Sequence, residues 1–160
     1  MASSKKKQLI DELDAQIISM LQRDGRMSNT DLARELKASE ATIRSRLKRL
    51  TDENIIQIVA VSNPLKLGFE LTGDLDIKVN IKKMDEVIKA LKKFKELWYI
   101  VVRTGASNIN AEFVVKNLDD LHDLVYYRLS KIDGIEQVDT SIIINFIKRQ
   151  YDFGTALPQD

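Results

Sequence analysis

Between Ser39 and Leu50 the chain gathers side chains suited to holding a polyanion. Arg44, Arg46, Lys48 and Arg49 face one acid, Glu40, so this stretch carries +3 in a chain whose total is +1. Arginine and lysine hold phosphates, and short side chains such as Thr42 and Ser45 can reach base edges in a major groove. Ser39 is an N-cap residue type, and Ile43, Leu47 and Leu50 recur at i, i+4 and i+7. The spacing predicts a short amphipathic helix with a basic outer face. A solvated bundle helix and a DNA-recognition helix both fit that description.

The segments before it decide between them. Asp11 can cap a first helix, with Asp14 three residues on and Ile10 as a staple. Leu13, Ile17, Ile18 and Leu21 form its buried face, and Asp24-Gly25 ends it, the glycine expected in the left-handed position. Ser28 or Asn29 caps a second, short helix whose inner face is Leu32, Ala33 and Leu36. Lys37-Ala38 links it to the basic helix, which stops near Asn54, a residue tolerant of positive φ. Three short helices with tight links, the last one basic, make a helix-turn-helix unit over 9–54.

The expected DNA-facing set is Ser28, Asn29, Thr30, Ser39, Glu40, Thr42, Arg44, Ser45, Arg46, Lys48 and Arg49. Thr42 and Ser45, with Arg44 or Arg46, would read bases; Lys48, Arg49 and Ser28 or Asn29 would contact phosphates. The competing role for Arg46 is an ion pair with an acid such as Glu35 or Asp52.

After Asn54 the rhythm changes. Ile55 to Val61 is β-branched and reads as a hinge strand; with Asn63-Pro64 and Leu67-Gly68 it makes a linker over 55–70. Leu75, Ile77, Val79 and Ile81 then alternate with polar residues, a strand with one wet face. Met84, Val87, Ile88, Leu91 and Phe94 follow as a helix face. Trp98–Val102 and Ala111–Lys116 read as a hairpin, Leu118 to Ile132 as a second helix, and Ile135 to Phe146 as a long last strand. This β-α-β-β-α-β order is a ferredoxin-like domain over 71–150 in an α+β chain, and its open sheet face, partly apolar, is a partner surface. Residues 1–8 and 151–160 read as tails. Lys5-Lys6-Lys7 is either a solubilising tail or a phosphate-contacting arm.

Several functions find no support in the sequence. There is no cysteine, and His122 is the only histidine, so no thiolate or histidine-rich metal site can be built. No nucleophile–base pair or glycine-rich phosphate loop is present, so no catalytic residue is assigned. No apolar run reaches the roughly 20 residues of a bilayer span, and no secretory leader precedes Leu9. The expectation is a cytoplasmic protein without membrane contact. RNA binding through Ala111–Val115 is a further alternative, weakened by Glu112 and by the lack of a basic lead residue.

With these pieces in place the sequence resembles the Lrp/AsnC ("feast/famine") transcriptional regulators. The likeness rests on Ile10-Asp11, Asp14, Ile17-Ile18, Leu21-Gln22 and Asp24-Gly25-Arg26; on Leu32-Ala33 and Leu36; and on Ser39, Thr42-Ile43, Arg46–Leu50 and Asn54-Ile55-Ile56, followed by the β-α-β-β-α-β half. The family usually has glycine where Asn54 stands.

The resemblance implies a winged-type helix-turn-helix domain, double-stranded DNA as partner, and sensing domains that pair sheet to sheet into a homodimer, tetramer or octamer. It implies no cofactor, and an amino acid or related metabolite as effector. That effector would lie near a loop after the second sensing strand and an element of the last strand, here Gly105, Ala106, Ser107, Asn108 and Thr140. Ala106-Ser107-Asn108 replaces the family's Tyr-Asp pairing, and Val138-Asp139-Thr140 keeps one threonine of two. The loop is therefore either a small-molecule site or a plain hairpin turn in an orphan regulator without effector. Because some relatives are haem-pathway decarboxylases, an enzyme on this architecture is the remaining alternative.

Overall fold

The structure is a computed structural model and describes residues 9–157. The Lys5-Lys6-Lys7 arm lies outside the described residues. The chain divides into two compact units, one ending at Ala60 and including the stretch from Lys148, the other running from Val61 to Ile147.

The first unit is three helices, α1 (Glu12–Arg23), α2 (Asn29–Glu35) and α3 (Glu40–Asp52). Each begins at a side-chain cap. Asp11 and Asp14 form a reciprocal capping box on α1, Ser28 Oγ accepts from the Asp31 N–H, and Ser39 Oγ accepts from the Thr42 N–H. The apolar stripes meet in a core of Ile17, Ile18, Leu32, Ile43 and Leu50. Burying one such side chain stabilises by roughly 1.5–3 kcal/mol. After α3, Asn54 takes φ 55°, the left-handed position expected near there. Gly25 does not take it: α1 closes on Asp24, which is extended, donates its N–H to Met20 O, and accepts the Arg26 N–H on its side chain. The tail beyond Lys148 belongs to this unit, where Gln22 exchanges amide hydrogen bonds with the Gly154 backbone (3.0 and 3.4 Å).

The expected hinge strand is not formed. Residues 56–63 make no ladder, and Ile58, Val59 and Val61 are more than half exposed. A strand needs a hydrogen-bonded neighbouring strand, and none of the described residues supplies one there.

The second unit is a four-stranded antiparallel sheet of order β2-β3-β1-β4, with β1 (Leu71–Val79), β2 (Leu97–Val102), β3 (Ile109–Val115) and β4 (Ile135–Ile142). Helices α4 (Met84–Leu91) and α5 (Leu118–His122) cover one face; α5 continues through wide π-type turns over Asp123–Arg128 and a tight turn at Leu129–Lys131. That face holds the core, including Leu75, Ile77, Phe113, Val87, Leu91 and Leu124. The alternation of β1 and β3 is therefore visible as burial. β4 stops at Ile142 instead of Phe146, because its partner β1 begins at Leu71 and Gly73 already pairs with Ile142.

The other sheet face is less apolar than expected. Tyr99, Val101 and Val114 occupy its β2–β3 corner, while Asp74, Asp76, Glu112 and Asp139 occupy the rest. Phe113 is fully buried on the helix side, so the aromatic group invoked for RNA stacking does not reach the open face.

Candidate nucleic-acid interface and effector pocket

Within α3 the four cations separate into two pairs. Arg46 and Arg49 turn toward α1. Arg46 Nη1 donates to Asp14 Oδ1 at 3.0 Å and also to Asp11, while Arg49 donates to Asp14, to Leu9 O at 3.1 Å and to Glu53 at 3.3 Å. Asp14 is 1 % exposed. The Arg46 guanidinium holds the Asp11 carboxyl below the usual carboxylate range, helped by the Asp14 N–H that caps onto it. Neither Glu35 nor Asp52 partners Arg46.

Arg44 and Lys48 lie on the outer surface. Each is tied only to an acid one turn away, Arg44 to Glu40 at 2.6 Å and Lys48 to Asp52 at 2.5 Å, all four side chains well exposed. Such pairs contribute about 0–1 kcal/mol and open readily to a phosphate. Ala41 and Ser45 are exposed between them. At the head of the face, Thr30 Oγ1 donates to Glu40 (3.2 Å), joining the start of α2 to α3. The Ser39 and Thr42 hydroxyls bond each other at 2.7 Å, and Ser28 Oγ is taken up by Asp31. Asn29 is half-buried at the first turn of α2. The structure therefore brings Thr30, Ser39, Glu40, Thr42, Arg44, Ser45 and Lys48 onto one surface and turns Arg46 and Arg49 into the domain. The sequence held a signal for this division. Arg46, between Ile43 and Leu50 at helical spacings, flanks the apolar stripe, and Asp14 is the capping-box acid of the neighbouring helix.

In the second unit the β2–β3 loop closes over a cavity of about 280 Å³ on the open-face side of β1 and β4. Gly105, Ala106 and Ser107 line it, joined by Asp76, Lys78, Arg103, Thr104, Gln137 and Asp139. Asn108 and Thr140 are not among its lining. Asn108 is used structurally, its Oδ1 accepting the Val79 N–H at 2.7 Å and its N–H reaching Ile77 O at 3.1 Å. Thr140 lies across from Leu75.

Arg103 Nη2 reaches Asp76 at 2.7 Å and Ser107 Oγ at 2.5 Å, and Asn110 donates to Asp76 at 2.9 Å. The Asn110 amide and then the Arg103 guanidinium hold the Asp76 carboxyl below its ordinary range. Lys78 leans on Glu136 at 3.5 Å, and Asp139 accepts only from the Gln137 amide. Two cations, Arg103 and Lys78, thus share one small cavity with Asp139, an acid that has no cationic partner among the described residues. The residues overlooked in the sequence come from neighbouring strands; the readable hint was that Asp76, Lys78 and Asp139 belong to wet-face positions. His122, the only histidine, is exposed on α5 and stacks on Tyr126 and Tyr127. Among the described residues no group of three or more His, Cys, Asp or Glu is arranged to hold a metal ion, and no helix is long and apolar enough to cross a membrane.

Comparison with known proteins agrees with this geometry. Residues 10–51 match the AsnC-type helix-turn-helix domain and residues 75–153 the Lrp/AsnC ligand binding domain. An uncharacterised HTH-type transcriptional regulator of Pyrococcus horikoshii is 35% identical over 143 residues, covering 89% of this chain and 90% of that protein. The HTH-type transcriptional regulator LrpA of the same organism is 32% identical over 141 residues, covering 88% and 100%. Among solved structures, a Neisseria meningitidis transcriptional regulator in complex with L-Met has a TM-score of 0.78 at 22% identity, over 93% of this chain and 96% of that one. E. coli AsnC has a TM-score of 0.78 at 24% identity, over 91% and 99%. At those identities the structural likeness is one of fold.

Proposed function

The chain belongs to the Lrp/AsnC family of DNA-binding transcriptional regulators, and from that premise we propose that it binds promoter DNA as a homodimer with α3 of each copy in a major groove. Half-sites then lie about 10 base pairs apart or a multiple of it. The observation that carries this reading is the sorting of cations on α3. Arg44 and Lys48 are free to leave weak exposed pairs for DNA, while Arg46 and Arg49 brace the helix against α1. Arg44 and Ser45 are the base-reading residues and Lys48 the phosphate contact. The β-branched stretch at 56–63, which joins no strand ladder among the described residues, supports dimerisation, since a second copy can offer it a neighbouring strand.

Gel-shift titration on the protein's own promoter tests the reading. Arg44→Ala should weaken specific binding by about 1–3 kcal/mol and relax base preference, and Lys48→Ala should lower the salt slope by about 1. Unchanged binding in Arg44→Ala would remove α3's outer face from the interface.

The second domain, we infer, takes an amino-acid effector in the loop cavity. Arg103 and Lys78 suit a carboxylate, and Asp139 suits an ammonium group. Calorimetric titration should therefore show uptake of an amino acid but not of the 2-oxo acid of the same carbon skeleton, with Asp139→Asn erasing that preference. Equal affinity for both, or none for either, rejects this assignment and leaves the DNA reading intact.

A further inference from the structure

An acid at the head of α3's outer face is electrostatically out of place. Glu40 is exposed, is the first residue of the helix, and stands beside Arg44. A DNA backbone brought to that face therefore meets a negative charge. The side chain is also held in a fixed attitude. Arg44 Nη2 donates to its Oε1 at 2.6 Å from one turn further along α3, and Thr30 Oγ1 donates to its Oε2 at 3.2 Å from the start of α2. A carboxylate has about four lone-pair sites, two on each oxygen. Each oxygen thus keeps an acceptor position that neither neighbour uses, and the side chain is 45% exposed. The exposed neighbours Ala41 and Ser45 are short, which leaves room for a base edge beside it.

DNA binding changes the balance. When Arg44 turns to a base it leaves Glu40, and the Thr30 hydroxyl alone does not offset repulsion between a carboxylate and the phosphates. A donor from the DNA has to replace the guanidinium. The major groove presents two kinds, the cytosine N4 and adenine N6 amino groups. Adenine sets its N7 acceptor beside N6, guanine presents O6 and N7, and thymine presents O4; all of these acceptors repel a carboxylate. Cytosine alone offers a donor with no acceptor on the same base. We propose that Glu40 is a specificity-determining residue that reads cytosine: its carboxylate accepts from the N4 amino group while Thr30 steadies it from α2. This role rests on the placement of α3's outer face at DNA, and it adds to that placement a group that rejects three of the four bases at one position. It also couples two positions of the half-site, since Arg44 is released to its own base most readily where a cytosine takes its place on Glu40.

Gel-shift titration with the full chain tests this, on its own promoter and on variants in which each base pair beneath α3 is replaced in turn by the other three. Wild type should lose about 5- to 150-fold in affinity when one particular cytosine is replaced. Glu40→Ala should bind all four bases at that position equally. Glu40→Gln should turn the preference from cytosine to adenine, because a primary amide matches adenine N6 and N7 together. Both variants should hold unrelated DNA more tightly than wild type, one negative charge having gone. The base preference that depends on Arg44 should survive in both, and circular dichroism confirms that each is folded. A wild type indifferent to every cytosine, or a Glu40→Gln protein that keeps the cytosine preference, overturns the assignment. So does a Glu40→Ala protein that loses only the Arg44-dependent preference, which makes Glu40 a prop for Arg44. Arg44→Ala is run beside them. If it leaves binding unchanged, the placement of α3 at DNA fails; if it weakens binding while the Glu40 variants keep the wild-type preferences, only the cytosine reading fails.

Discussion

Gly73→Ala should abolish folding of the sensing domain while the helix-turn-helix domain still melts as its own unit. Gly73 sits in β1 between Phe113 on β3 and Ile142 on β4. A Cβ placed there would come within 1.9 Å of Ser141 O and 3.0 Å of two Phe113 ring atoms. The ring can turn aside, but a backbone oxygen in a paired strand cannot move without opening the β1–β4 ladder, the interaction that anchors the last strand. Overpacking of a well-filled core costs about 1–3 kcal/mol and occasionally more. Backbone overlap places this case at the upper end, about 3 kcal/mol or beyond, a large part of a small domain's stability. Hydrogen exchange resolved by segment is the measurement. Protection should vanish across β1–β4 and persist in α1–α3; retained protection in β1 would show that the sheet has room.

Asp14→Ala is the second large effect, on the other unit. Asp14 is the buried carboxylate on which Arg46 and Arg49 converge, and it also completes the capping box with Asp11. Removing it leaves Arg46, 29% exposed at the side chain, with Asp11 as its one acidic partner among the described residues. Breaking a fully buried pair costs about 3–5 kcal/mol. The arginines retain some access to water, so roughly 2–3 kcal/mol is expected for the network and the lost cap together. Thermal melting of the first unit reports it, and DNA affinity should fall only in proportion to unfolding, with base preference intact in the folded fraction. Relaxed base preference in a folded Asp14→Ala protein would instead place Arg46 or Arg49 at the DNA. The same network sets an acid limit. Because the folded Asp11 carboxyl titrates below its unfolded value, its stabilising share is complete above about pH 4 and disappears as pH falls through the lowered folded value.

The contrast between these two sites shows what a sequence makes legible. Caps and apolar stripes are local, so Asp11, Ser28 and Ser39 located three helices, and alternation through Leu75, Ile77 and Val79 located the central strand. Arg44 and Arg46 are chemically identical, and only packing against α1 separates a surface arginine from a braced one, although the position of Arg46 beside the stripe hinted at it. Nothing near Gly73 in sequence announces it; the requirement for glycine comes from Ser141, 68 positions away. The hinge strand fails for a different reason. Ile55–Val61 has the composition of a strand, but composition does not supply the second strand. In the loop cavity the expected Gly105–Ser107 segment is joined by side chains from β1 and β4, which register brings together and linear order keeps apart.

The wide turns of α5 also bear on how this chain can change in length. Leu121 before them, Leu124 in their first turn and Leu129 after them all face the core, so the extra backbone is absorbed between Leu124 and Leu129 and neither flank is rotated. A single-residue deletion in that segment would tighten the helix to ordinary pitch and leave both core registers in place; the same deletion in β1 would invert every side chain beyond it. One codon could therefore be lost from this helix at little structural expense, and what would go with it is the side-by-side display of Tyr126 and Tyr127. Length variation at this one point can reshape the outer surface of the helix without deciding whether the domain folds.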